Sequence, residues 1–265
     1  MNPASPAGEA SRLARGVFLP ALLAPVAVLL GRAAGGPILL PILATLAVYP
    51  VLALLLLQQR RRAAAVATLL WAASLSVSVI ASTARDPDAM EAVVLNGPIY
   101  RDEMFSFIRS GEGRESDPAL FLPQHLLHLG AFCLLAWASA VLLGIALGAL
   151  LVGYMSFYVG SLAAAGGEPL AAFAFGWPPW AVLRVVAFVL IGVALSEPLL
   201  LAIRRRLPGA AGPGPGGQPG GASSRAARPG WRAWYLTAAG LLAADALLKM
   251  LLAPAWAALL RPCLD

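Results

Sequence analysis

Charge is scarce in this chain: only 12% of its residues are charged, too few to clothe an ordinary soluble domain. Cysteine occurs twice, as Cys133 and Cys263. With no CxxC and no Cys/His cluster, a disulfide framework is excluded and a structural zinc site is disfavoured. Cys133 sits in an apolar run and reads as a packing residue. Lys249 is the single lysine among 19 basic residues, a compositional bias with no function attached to it. No Walker loop is present, so ATP is not an expected partner. Neither GxSxG nor HExxH occurs, and Gly221-Ala222-Ser223-Ser224 lies in a Pro/Gly-rich stretch unlike a nucleophile turn. The apolar/polar alternation of membrane β-strands is also missing; Val51 to Leu57 is continuously apolar. No inverted repeat is visible of the kind that builds many transporters.

What the chain does have is hydrophobicity: 60% of residues are hydrophobic, and the mean hydropathy is +0.78. Apolar runs longer than about 18 residues recur, and each is long enough to span a bilayer core of about 30 Å. Backbone polar groups must be satisfied inside lipid, so the spans are helices. The expected fold is all-α, a polytopic transmembrane bundle of about seven spans with its amino terminus cytoplasmic. The expected location is a bacterial cytoplasmic (inner) membrane.

Two arginine triplets, Arg60-Arg61-Arg62 and Arg204-Arg205-Arg206, each end an apolar block. Arginine in short loops stays cytoplasmic. The triplets and Arg12/Arg15 therefore share one side, and the number of crossings between any two of them is even. Residues 17–58 are interrupted by Arg32 and Gly35-Gly36-Pro37, which makes them a hairpin of spans 17–33 and 37–58. The run from Val17 resembles a signal peptide, but a second apolar segment follows at once, so it reads as an uncleaved first span. Between the triplets lie blocks 63–82, 124–165 and 179–203. Three is odd, and 42 residues of helix would be about 63 Å long, so 124–165 must turn back. Spans 124–145 and 148–166 result, with Gly144 and Gly148 as candidate turn residues. A re-entrant 148–166, or a single crossing by 124–165, would leave six spans.

The divisions expected are a cytoplasmic tail 1–16, spans 1–3 within 17–82, an acidic outer segment 83–121, and spans 4–6 within 122–206. A flexible Pro/Gly linker 207–230 follows, then span 7 and a short outer tail in 231–265. Most of the formal +6 charge is accounted for by topology signals and lipid headgroups, so nucleic acid is not an expected partner. The bilayer and other membrane subunits are.

Segment 83–121 holds eight acidic residues and four arginines, a net −4. Asp86-Pro87 reads as a helix start and Asn96-Gly97 as its stop. A second helix is predicted from Ile99 to Ser110, ended by Gly111, with Tyr100, Met104, Phe105 and Ile108 on one face. That face would rest on the membrane or on the bundle. His125 and His128, the only histidines, share a face at i, i+3 as the next span opens. Glu112, Glu115 and Asp117 lie just upstream. Two imidazoles and a carboxylate form a weak candidate site for a divalent metal, with His125 and His128 as ligands, or for proton handling. No cofactor is otherwise predicted.

Ionisable residues inside spans are functional candidates. Arg184 and Asp245 fall at similar depth near the outer face and are expected to pair. Lys249, at i+4 from Asp245, is an alternative partner or snorkels outward. Ser74, Ser78 and Ser82, and Gly144-x-x-x-Gly148, read as packing surfaces. Two functions follow. Lacking catalytic motifs, the chain reads first as a non-catalytic component of a transport, assembly or envelope system. The alternative is a membrane-embedded enzyme or small-solute carrier with an outer-face site built from His125, His128 and nearby carboxylates.

Overall fold

The structure, a computed structural model, describes residues 6–206 and 230–265, with only the backbone described for 6–14. The expected linker 207–230 lies outside the described residues except for Gly230. Among the described residues seven helices are long and apolar enough to cross a membrane: α1 (Pro6–Ala34), α2 (Leu39–Leu57), α3 (Arg61–Arg85), α6 (Pro118–Ala138), α7 (Leu142–Ala164), α9 (Pro179–Arg206) and α10 (Trp231–Leu260). Three short helices, α4 (Pro87–Glu91), α5 (Gly97–Ser110) and α8 (Pro169–Phe175), complete the set. Among the described residues there is no strand. The chain is an all-α bundle and an integral membrane protein.

The arginine-triplet end is held together by its own charges. Arg61 pairs with Glu197, which is 1% exposed, and its guanidinium lies 3.7 Å from the centre of the Trp231 ring. Arg204 donates to the Leu57 carbonyl at 3.3 Å. Both triplets therefore meet at one end of the bundle, as crossing parity requires. At the opposite end Arg32 pairs with Asp86, which also accepts from the Ala89 N–H at 3.2 Å and so caps α4. Arg61 and Glu197 lie 136 residues apart, so no local spacing announces the pair.

The return inside 124–165 occurs earlier than the glycines suggest. Ser139-Ala140-Val141 forms the turn, with Ala140 and Val141 at φ 50° and 71°. The Ser139 hydroxyl donates to the Leu135 carbonyl and accepts from the Leu143 N–H, satisfying backbone groups that lipid could not. Gly144 serves close approach instead: a Cβ there would stand 3.1 Å from that of Ala136. Where α7 crosses α3, a Cβ on Gly160 would lie 2.7 Å from the Ile80 carbonyl oxygen. Ser156 and Ser76 bond across the same contact at 2.9 Å. On the other side of α3, Ser74 donates to the Ala21 carbonyl of α1 at 2.6 Å. Small residues thus bring the backbones together and hydroxyls fasten them.

The acidic segment folds onto the bundle. Asn96 turns left-handed at φ 61° and α5 begins at Gly97, two residues before the sequence suggests; Gly111, at φ 75°, ends it. Met104 and Ile108 are buried, and the Tyr100 ring lies 4.7 Å from that of Tyr154 on α7. The apolar face of α5 therefore rests on the bundle, where a second cluster of Phe107, Ile108, Tyr158, Trp180 and Trp256 forms beneath it. Helix α8 had no clear sequence signal; the indole N–H of Trp256 ties its last residue, Phe175, to α10 at 2.8 Å.

Candidate functional site

Four segments carry ionisable side chains into one place below the cap: the loop after α5, and helices α6, α9 and α10. Arg184 grips Asp245 with two prongs, Nε to Oδ2 at 2.9 Å and Nη2 to Oδ1 at 2.8 Å. The two residues expected to pair across spans 6 and 7 are thus joined in the geometry that best matches guanidinium to carboxylate. Asp245 is 2% exposed.

One turn further along α10, Lys249 is 1% exposed. It neither snorkels nor pairs with Asp245. Its ammonium sits 2.7 Å from Glu115 of the cap loop and 4.4 Å from the centre of the Phe121 ring on α6. Two ion pairs therefore stand side by side, and they are neutral in sum.

The two histidines divide. The His125 ring packs against Phe121 at 5.2 Å, with Nδ1 3.9 Å from Asp245 Oδ2. That is too long for a direct hydrogen bond but bridgeable by one water. His128 turns instead toward an internal cavity that it lines with Arg184, Tyr154 and Trp177. Arg184 belongs to both arrangements, since it pairs with Asp245 and also lines the cavity.

The acidic residues just upstream do not all arrive. Glu115 does. Asp117 caps α6 by accepting from the Ala119 N–H at 2.8 Å. Glu112 is exposed at the loop tip. Among the described residues no three His, Cys, Asp or Glu side chains gather where they could hold one metal ion. The i, i+3 spacing places the histidines on adjoining faces, but the loop between α5 and α6 carries two of the three carboxylates elsewhere.

Three aromatic residues join the site that the sequence did not place there. Tyr154 and Trp177 line the cavity beside His128. Tyr100, from the cap, lies against Tyr154; burial first, and the Glu115 carboxylate second, hold its phenol well above the ordinary range, so it stays protonated. Tyrosines on α7 could be located in sequence but not assigned to this site, because their partners come from α5 and α9.

The fold and site define a class: a membrane protein with seven candidate spans among the described residues and a capped, charge-paired polar cluster at the end opposite the arginine triplets. The chain matches no family model, no curated protein and no solved structure.

Proposed function

We propose that this chain is a membrane-embedded enzyme or carrier whose working site is the outer cluster of Glu115, His125, His128, Arg184, Asp245 and Lys249. One observation carries the reading. Ionisable groups from four segments converge beside a cavity, within a span region where each buried charge is expensive. A bundle needing only stability would be served as well or better by apolar side chains there. Roles follow from the chemistry. Arg184, fixed by Asp245, presents a permanent positive charge to the cavity. His128 offers a proton donor or acceptor at the same wall. His125 and Asp245, a water's breadth apart, form a second proton-handling pair.

The non-catalytic reading retains one supporting observation: the Lys249–Glu115 pair fastens the cap to α10, as a scaffold would require. Complementation separates the two. In a deletion strain, His125→Gln and His128→Gln should reach the membrane at wild-type level yet fail to restore function. Full restoration by both would sink the proposed site and leave the scaffold.

A further inference from the structure

The cavity below His128 reaches deep into the bundle. It runs between α2, α3, α6, α7 and α9, with a cavity volume of about 100 Å³. On α7 its lining extends from Gly144 to Met155, about 16 Å at 1.5 Å per residue. That is close to half of a hydrocarbon core of about 30 Å, the depth one acyl chain fills. Away from His128, Arg184 and Trp177 the wall is apolar: Leu52, Phe132, Ile145, Val152, Phe188 and Val193. Water has few partners on such a wall, and an unfilled void forfeits dispersion contacts.

The polar end is rich in donors and short of acceptors. Trp177 and Trp71 line the cavity, and both indole N–H groups are buried without an acceptor. Arg184 engages Asp245 through Nε and Nη2, and its Nη1 makes no hydrogen bond to the described residues. Indole and guanidinium nitrogens can only donate. The neighbouring carboxylates are already held, Asp245 by Arg184 and Glu115 by Lys249. An occupant must therefore bring acceptor oxygens to this polar end and a chain to the apolar remainder.

We infer that the site takes a single-chain amphiphile with an oxyanion head, phosphate or carboxylate, seated at Arg184, His128 and Trp177, its chain lying inward along α7. This inference rests on the outer-end site proposed above and names its substrate class.

The test uses full-length protein in phosphatidylcholine nanodiscs and dodecyl phosphate brominated on its chain, which quenches nearby tryptophan. Gly148 lines the cavity, and a Cβ there meets nothing within 4 Å, so Gly148→Phe fills the space from α7 and leaves the charged cluster untouched. Val189→Phe fills it from α9, which keeps the test decisive should one variant misfold. Wild type should show saturable quenching. Either plug should weaken binding at least ten-fold, dodecanol should compete at least ten-fold more weakly than dodecyl phosphate, and inorganic phosphate should not displace the probe. Non-saturable quenching, or unchanged affinity in folded plug variants, overturns the chain site. Equal competition by dodecanol overturns the oxyanion head. Displacement by inorganic phosphate at the same concentration overturns the amphiphile in favour of a free anion. If the chain site fails while the histidine variants still fail to complement, the outer site stands with another substrate.

Discussion

At the scale of single residues, the Arg184–Asp245 pair is the feature most exposed to test. Removing one partner strands a buried charge, which costs about 3–5 kcal/mol, whereas replacing both by apolar residues of similar volume is often neutral. Arg184→Met and Asp245→Leu should therefore each lower thermal stability in detergent sharply, while the double variant recovers most of the loss. The pairing needs no motif to be anticipated: two lone charges at matched depth in lipid have few other ways to be satisfied. Lys249 is the counter-example. Its i, i+4 spacing from Asp245 suggested a local pair or an outward reach. It instead meets Glu115, because the cap loop descends to it, and no local rule reports where a loop descends.

At the scale of elements, the turn between α6 and α7 shows how far residue preference reaches. Length arithmetic required 124–165 to fold back, and it does. The position followed a different rule. Ser139 supplies an acceptor for the new helix's N–H and a donor for the old helix's carbonyl, and that outweighs left-handed backbone at two non-glycine residues. Such backbone costs about 1–2 kcal/mol per residue. Ala140→Gly should therefore raise stability by about 1 kcal/mol, read as a higher midpoint in thermal unfolding; a lower midpoint would show that the turn is not under strain. Gly144 and Gly148, the turn candidates in sequence, serve helix approach and cavity space. A glycine's meaning depends on what faces it, which is tertiary information. The amphipathic face of α5 was legible from Tyr100, Met104, Phe105 and Ile108; that it covers α7 rather than lipid was not.

At the scale of the whole molecule, the arginines predict the orientation. Both triplets gather at one end through Arg61–Glu197 and Arg204–Leu57, and positive residues in short loops remain cytoplasmic. In a variant lacking Cys133 and Cys263, a cysteine at Glu112 should react with an impermeant maleimide in intact cells, and one at Arg205 only after permeabilisation. The reverse pattern would invert the molecule and move the charged site to the inside.

Composition and periodicity were enough for a helical membrane bundle, seven crossings and two short cap helices. Each of these follows from one-dimensional physics: the thickness of a bilayer, the rise of a helix, and the cost of charge in lipid. Convergence lay beyond that physics. Whether Glu115, His125, Arg184, Asp245 and Lys249 meet depends on how helices far apart in sequence pack. That packing is set by small-residue contacts such as Gly160 on α3 and by the route of a polar loop. The cavity follows for the same reason, since a void is the space that packing leaves and belongs to no single segment.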